Sequence, residues 1–137
     1  MKIALIQMDA VWETRKANYA KAENFFRKAA RESCDIIVFP EMFSTGFSMN
    51  IPAVAEEEKG ETSQVLCELA KKYGINVIAG LAARTQGRKK ARNLAIAINR
   101  KGTVLATYAK MHPFSLAKED KYFASGNARI IFQIEEV

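Results

Sequence analysis

The sequence predicts a layered α/β fold built on a mixed sheet. Apolar runs such as residues 35–39 lack polar alternation, which is typical of parallel strands covered on both faces. Segments with helical periodicity separate the first three such runs, giving a β-α-β-α-β order. Two further strand-like segments then follow each other across a short turn. We therefore expect a parallel centre extended by an antiparallel hairpin, in one domain of 137 residues.

The first half alternates strands and helices. Residues 2–8 read as a buried strand, and residues 14–31 as a helix with small and aromatic residues on one face. The second strand, 35–39, should stop at Pro40, because proline gives no N–H to the ladder. Residues 41–61 form a long loop, and long loops in compact domains are often functional.

The second half begins with a helix that Thr62 or Ser63 can cap and that ends near Gly74. Residues 75–81 follow as the third strand. Residues 93–98 and 103–108 then form a hairpin around the turn 99–102. A last strand is predicted over 129–134, and the chain has no internal repeat or linker.

Composition limits the class of protein. No run approaches the roughly 18 apolar residues of a membrane helix, and no signal peptide core is present, so we expect a cytoplasmic protein without a membrane partner. Cys34 and Cys67 fit no metal spacing and read as structural thiols. The net charge of +6 has its densest source in residues 84–92. That run lacks aromatics, so we interpret it as an exposed hairpin turn rather than a phosphate-binding patch, and expect no nucleic-acid partner.

A first candidate site follows the second strand. Glu41 comes directly after Pro40 and has apolar neighbours at Met42 and Phe43. In open α/β sheets, ligands bind in the crevice beyond the strand ends. A carboxylate in partly apolar surroundings there is a candidate general base, and a solvated loop glutamate is the alternative.

A second candidate site repeats this logic after a later strand. Residues 108–114 place Lys110 at a strand end shortly before Pro113. A fixed lysine near a reacting carbonyl stabilises an oxyanion, although a surface lysine is the alternative. Glu119 lies in a charged segment that, read alone, is a solvated turn. His112 is the single histidine, and we expect a structural role for it.

Together these segments resemble the nitrilase superfamily of carbon–nitrogen hydrolases. The resemblance rests on residues 3–8 (Ile-Ala-Leu-Ile-Gln-Met), 39–43 (Phe-Pro-Glu-Met-Phe), 93–95 (Asn-Leu-Ala) and 108–114 (Tyr-Ala-Lys-Met-His-Pro-Phe). Residues 44–47 and 119–127 look most like the omega-amidase branch. The resemblance covers the whole chain with the family's order and spacing.

The resemblance implies a part of an α-β-β-α sandwich, with two helices on one face of a mixed sheet. It also implies a Glu-Lys-Cys triad in which Glu41 is the base and Lys110 stabilises the tetrahedral intermediate. Glu119 resembles a second glutamate that positions substrate. No metal or organic cofactor is implied, and the expected substrates are small omega-amides of dicarboxylic or keto acids.

Three aromatic residues are candidates for the wall of an acyl pocket, with core packing as the alternative. They are Phe43, Phe47 and Phe114.

The family's nucleophilic cysteine should follow Lys110 at the end of another strand, and the 137 residues end before such a segment. Cys34 begins the strand whose far end carries Glu41, and Cys67 falls within a helix. We therefore expect residues 1–137 to be the N-terminal part of a single domain, incomplete at the C-terminus and inactive alone. Such a half sandwich exposes strand edges and an apolar face. Another copy, giving a homo-oligomer, or a complementing C-terminal half would cover them.

Two other functions compete with an amidase. One is a truncated, catalytically silent half-domain that acts as an interaction or assembly module. The other is a nucleotide-binding α/β domain, which the sequence disfavours because residues 9–12 after the first strand contain no glycine to cradle a phosphate.

Overall fold

The computed structural model describes residues 1–85, 87 and 89–134, and within them the chain forms one mixed sheet. The elements in chain order are β1 (Ile3–Leu5), α1 (Arg15–Arg31), β2 (Ile36–Val38), α2 (Ile51–Val54), β3 (Glu56–Glu57), α3 (Glu61–Tyr73), β4 (Asn76–Arg84), β5 (Arg92–Ile98), β6 (Val104–Ala109), a 3-10 turn (Ser115–Ala117) and α4 (Glu119–Tyr122). The strand order is β1-β2-β4-β5-β6, and β3 pairs with the end of β4. The predicted α/β class is confirmed.

Strand direction reverses at β5 and again at β6. β1, β2 and β4 are parallel, whereas β5 is antiparallel to both β4 and β6. The carboxyl ends of β2, β4 and β6 therefore meet the amino end of β5 at one edge of the sheet. Side chains placed just beyond these four strand ends therefore share one side of the sheet, where long side chains from different strands can meet.

Both long helices cover one face of the sheet. α1 and α3 pack on each other, and their apolar residues form a core with alternate residues of the strands. Phe26, Leu66 and Ile98 are completely buried there. On β1, Ala4 packs against this core, while its neighbours Ile3 and Leu5 point to the other face and are 47% and 78% exposed. The second face of the sheet thus presents apolar side chains to solvent.

The predicted end of α3 is confirmed, but its predicted start is not. Gly74 ends α3 in the left-handed conformation, at φ +65°, as predicted. The predicted cap at Thr62 or Ser63 is wrong, because α3 already begins at Glu61 after Gly60. Glu56 satisfies the Thr62 N–H instead, through its Oε1 at 2.8 Å.

The predicted strand over 129–134 is also wrong, since these residues form no ladder. An extended segment becomes a strand only where another strand supplies hydrogen-bond partners, and Ile131 is 97% exposed. By contrast, the described residues of the basic run 84–92 connect β4 to β5 as a hairpin. Positions 86 and 88 of that run lie outside the described residues.

Among the described residues, no helix has both the length and the apolar character needed to cross a membrane.

Candidate active site

The turn after β2 places Glu41 beside the end of β4. The backbone crosses β4 at Gly80, whose N–H donates to Pro40 O at 3.3 Å and whose carbonyl accepts from Phe43 N at 3.2 Å. A Cβ on Gly80 would lie 2.7 Å from Glu41 Cα and 2.8 Å from Met42 N. Glycine therefore allows the Glu41 backbone to lie directly against the sheet.

Lys110 is fixed from both sides at the end of β6. Its N–H donates to Asn93 O at 2.9 Å, and its carbonyl accepts from Gly126 N at 2.8 Å. The segment carrying Gly126 runs so close to β6 that a Cβ there would overlap Ala109 O. The ammonium group thus projects from a backbone that two neighbours hold.

Glu119 reaches the same point from the turn after β6. It is the first residue of α4 and is completely buried. Lys118 before it adopts a left-handed φ of +58°, which folds α4 back toward the preceding residues. As a result, the Phe114 N–H donates to Glu119 Oε2 at 2.6 Å. The reading of Glu119 as a solvated turn residue does not hold.

The three charged side chains meet in one cluster. Lys110 Nζ lies 2.7 Å from Glu41 Oε1 and 2.8 Å from Glu119 Oε2. The side chain of Lys110 is 28% exposed and that of Glu41 is 46% exposed. The cluster is therefore anchored at Glu119 and open to solvent at Glu41.

The electrostatics follow from this geometry. Burial alone would raise the pKa of Glu119, but hydrogen bonds from Lys110, the Phe114 N–H and Asn93 outweigh it and hold that pKa below its ordinary value. Partial burial would lower the pKa of Lys110, but hydrogen bonds to Glu119 and Glu41 raise it. Lys110 consequently remains an ammonium ion at neutral pH.

Asn93 is a site residue beyond the predicted ones, although residues 93–95 carry part of the family resemblance. It stands near the start of β5, is 4% exposed, and donates through Nδ2 to Glu41 Oε1 at 2.5 Å and to Glu119 Oε1 at 2.8 Å. The available signal was a polar amide at the beginning of an otherwise apolar strand. A buried amide is expected to have hydrogen-bond partners, and here both are carboxylates.

A cleft of about 610 Å³ opens at the cluster. Its lining is made by residues from the turns after β2 and β6: Glu41, Phe47, Lys110, His112, Pro113, Phe114, Ser115 and Leu116. The Phe47 ring centroid lies 5.3 Å from Lys110 Nζ, within cation–π range. A smaller cavity of about 240 Å³, mostly apolar, adjoins Glu41 and Lys110 on the uncovered face of the sheet.

Two of the three aromatic candidates line the cleft, and the expectation for Phe43 is not met. Phe47 and Phe114 are lining residues. Phe43 is 1% exposed and packs on Phe39 in the helix-covered core, with ring centroids 5.0 Å apart. Its neighbour Met42 has a φ of +48°, and the chain turns there so that the next side chain points into the core.

Neither cysteine lies at the cluster. Cys34 precedes β2, whereas Glu41 follows it, so the two are at opposite ends of that strand. Cys67 lies against Gly102 in the turn that joins β5 to β6, at the far edge of the sheet, and burial raises the pKa of its thiol. Both thiols are free and half-buried.

The arrangement provides a half-exposed carboxylate and an ammonium ion at the mouth of a partly apolar cleft. Such a pair can accept a proton from a bound group and stabilise negative charge that develops beside it. Among residues 1–85, 87 and 89–134, no cluster of histidine, cysteine, aspartate and glutamate could hold a metal ion.

Known proteins are similar to this chain in sequence. The carbon-nitrogen hydrolase family matches residues 2–136. The chain is 29% identical over 136 residues to the 2-oxoglutaramate amidase of Bacillus subtilis (strain 168), a match that covers 98% of this chain and 52% of that protein. It is 32% identical over 116 residues to the omega-amidase NIT2 of Homo sapiens, covering 84% of this chain and 41% of that one.

Solved structures agree in fold. A CN-hydrolase superfamily protein from Xanthomonas campestris superposes with a TM-score of 0.88 at 23% identity, over 97% of this chain and 49% of that chain. The E41Q mutant of an amidase from Nesterenkonia sp. AN1, solved with acrylamide added to its active-site cysteine, superposes with a TM-score of 0.83 at 23% identity, over 93% and 50% of the two chains.

The chain therefore spans about half the length of the relatives that it matches. Because the family match extends over residues 2–136 and the sheet has the corresponding fold, the protein belongs to the carbon-nitrogen hydrolase family.

Proposed function

We propose that this chain supplies the acid–base and oxyanion-stabilising groups of an amidase that hydrolyses small omega-amides of dicarboxylic or keto acids. The observation that carries the proposal is the position of Lys110 Nζ, which lies within 2.8 Å of two carboxylates at the mouth of the cleft. The names of the similar proteins, an omega-amidase and a 2-oxoglutaramate amidase, support the substrate class.

In the proposed reaction, a cysteine thiol is the nucleophile. Glu41 accepts the thiol proton as sulfur attacks the amide carbonyl, and the carbonyl oxygen becomes an oxyanion beside Lys110. The C–N bond then breaks, and ammonia leaves with the proton that Glu41 returns. An acyl thioester remains.

Water completes the proposed turnover. Glu41 takes a proton from a water molecule that attacks the thioester, and the thiol regains a proton when the acid product leaves. Glu119 touches no substrate atom in this scheme, because it is completely buried behind Lys110. We assign it the role of holding the ammonium group in place.

The nucleophilic thiol must come from outside these 137 residues, since Cys34 and Cys67 lie away from the cluster. We propose that it lies in the part of the relatives' length that this chain does not span, and is supplied by a complementing C-terminal half. Free thiols suit a reducing compartment, so we place this reaction in the cytoplasm.

The test joins this chain to the C-terminal half of the Bacillus subtilis relative as a single polypeptide. Ammonia release from 2-oxoglutaramate is then measured, with the 137-residue chain alone as a parallel sample. We expect turnover from the joined protein and none from the chain alone. In the joined protein, Lys110→Ala should lower kcat by at least about a hundredfold, because one oxyanion-stabilising group is lost.

Lys72→Ala is the matched control. Lys72 Nζ pairs with Glu23 Oε1 at 2.7 Å, the same distance as the Lys110–Glu41 pair, but on the helix surface. Its replacement should leave kcat unchanged. A folded joined protein that hydrolyses no omega-amide, or one that keeps full activity with Lys110→Ala, would refute the proposal.

A second candidate function is a silent assembly module. The exposure of Ile3 and Leu5 on the uncovered sheet face favours it, because contiguous apolar surface often marks a protein–protein interface. The same assay separates the two functions, since a silent module gives no ammonia even when a thiol-bearing half is attached.

A further inference from the structure

One neutral side chain contacts both carboxylates of the cluster. The Asn93 Nδ2 group has two hydrogens, and its two acceptors are Glu41 Oε1 and Glu119 Oε1. Lys110 closes the ring from the other side, on Glu41 Oε1 and Glu119 Oε2. The four side chains therefore form a closed cycle of hydrogen bonds.

The two donors in this cycle differ in stiffness. Lys110 reaches the carboxylates through a long side chain that is partly exposed, so its ammonium group can move with them. Asn93 has two side-chain torsions, is buried, and belongs to a strand that pairs with β4 and β6. Asn93 is thus the rigid group that determines the position of the Glu41 side chain, because Glu41 lies on a turn.

The cycle also distinguishes the two oxygens of Glu41. Oε1 accepts from both Asn93 and Lys110, whereas Oε2 has no hydrogen-bond donor among the described residues. A carboxylate with one oxygen occupied in this way takes up a proton at the other. Glu41 lines the cleft, and Oε2 is therefore its oxygen that can accept a proton.

We propose that Asn93 is a positioning residue: it donates one amide hydrogen to each carboxylate, and its bond to Glu41 Oε1 fixes the rotamer of Glu41 and leaves Oε2 as the proton acceptor. A neutral donor suits this role, because a second cation would neutralise the cluster and weaken the base. The catalytic meaning of this assignment rests on the proposed function, but the hold of Asn93 on the two carboxylates can be measured without turnover.

The test is carbon-detected NMR of the glutamate side chains in the 137-residue chain. Asn93→Leu keeps the side-chain size and removes both donors. We expect the pKa of Glu119 to rise by about one pH unit, because a hydrogen bond to its ionised form is lost. The Hβ–Hγ couplings of Glu41 should change from those of one rotamer to averaged values. His112 is the single histidine and also lines the cleft, so its ring protons are recorded in the same experiment to keep its effects apart from those of the glutamates.

Asn76→Leu is the matched control. Asn76 is a 1% exposed asparagine at the start of β4, and it bonds Asp35 O and the Arg100 N–H at the opposite edge of the sheet. Its loss removes equivalent buried hydrogen bonds without touching the cluster. The pKa of Glu119 and the couplings of Glu41 should stay as in the wild type.

Asn93→Asp serves if the leucine variant does not fold. It keeps the shape of asparagine and replaces the donors with a third carboxyl group, so the Glu119 pKa should again rise. Wild-type values for Glu119 and Glu41 in the folded Asn93 variant, or equal changes in Asn76→Leu, would overturn the proposal. Absence of amidase turnover in the joined protein would refute the proposed function and leave this measurement intact.

Discussion

Glu119 is a carboxylate that solvent does not reach, and its charge depends on three donors. Lys110, Asn93 and the Phe114 N–H each contact it, so the ionised form is held in place even though burial opposes it. Because its folded-state pKa lies below the ordinary value of 4.5, ionised Glu119 stabilises the fold above about pH 4.5. This contribution is lost as the pH falls through the lower folded-state pKa.

Glu119→Gln should therefore destabilise the protein by about 1–3 kcal/mol at pH 7, because donors to a buried charge lose their partner. The difference from wild type should shrink as the pH falls below 4.5, since wild-type Glu119 then takes up a proton. Urea unfolding from pH 7 to pH 3 measures both effects.

The control for this prediction is Glu23→Gln. A hydrogen bond from Lys72 lowers the pKa of Glu23 as well, but the pair lies on the surface, where water screens it. A loss of stability at pH 7 as large as that of the Glu119 variant would contradict the role of burial.

Single residues differ in how visible they are in the sequence. Glu41 and Lys110 can be found because each follows a strand-like run and precedes or follows a proline, a pattern that marks a strand end. Asn93 cannot be found in this way, because its partners lie 52 and 26 residues away and only the strand register brings them together. The sequence leaves Phe43 open between pocket wall and core packing, because the left-handed turn at Met42 decides where its side chain points.

At the scale of elements, the turn after β2 depends on the strand it crosses. Gly80 belongs to β4. Because it has no side chain, the backbone atoms of Pro40, Glu41 and Met42 can lie within 3.0 Å of where a Cβ would be. A methyl group there would push the Glu41 turn away from the sheet. The position of the base therefore depends on a glycine in another element.

Gly80→Ala should cost about 1–3 kcal/mol of stability, because the atoms in its way are backbone and cannot rotate aside. Amide chemical shifts of Glu41 and Met42 should move more than those of α1. Thermal unfolding and NMR of the variant measure the two effects.

Gly74→Ala is the control that separates the effect of steric overlap from the effect of backbone conformation. Gly74 has a left-handed φ, and nothing lies within 4 Å of its missing Cβ, so alanine should cost about 1 kcal/mol of backbone strain. This variant should leave the Glu41 and Met42 signals in place. Unchanged Glu41 and Met42 signals in Gly80→Ala would contradict the steric argument.

Elements with strong local signals were predictable, and those that need a partner were not. The periodicity of α1 and the glycine that ends α3 are local features, and both match the structure. Residues 129–134 have strand-forming side chains, but a strand exists only beside another strand, and the sequence does not say whether one is available. The start of α3 was misplaced because its Thr62 N–H is satisfied by Glu56 from outside the helix.

At the scale of the whole molecule, the two faces of the sheet are unequal. Helices α1 and α3 cover one face, while the other exposes Ile3 and Leu5. Exposed apolar surface on a sheet favours association, because its burial removes that surface from water. The prediction that such a face would be uncovered agrees with the structure.

We expect the 137-residue chain to self-associate as its concentration rises and to dissociate on dilution. Leu5→Lys should shift it toward the monomer, because a charge on this face opposes burial. Leu116→Lys is the control. Leu116 is 86% exposed, but it lies in the turn after β6 that lines the cleft and not on the uncovered sheet face. Sedimentation velocity measures the distribution, and a chain that stays monomeric at every concentration would contradict the expectation.

The cluster depends on the register between the antiparallel strands β4 and β5. Asn93 faces Ala82 across the ladder, and its neighbour Leu94 faces Leu81 in the helix-covered layer. Displacing β5 by a single position along β4 would exchange these two layers. Leucine would then stand where the carboxylates need an amide, and the amide would be buried among hydrocarbon side chains. Correct alignment of one hairpin is thus a condition for the chemistry as well as for the core.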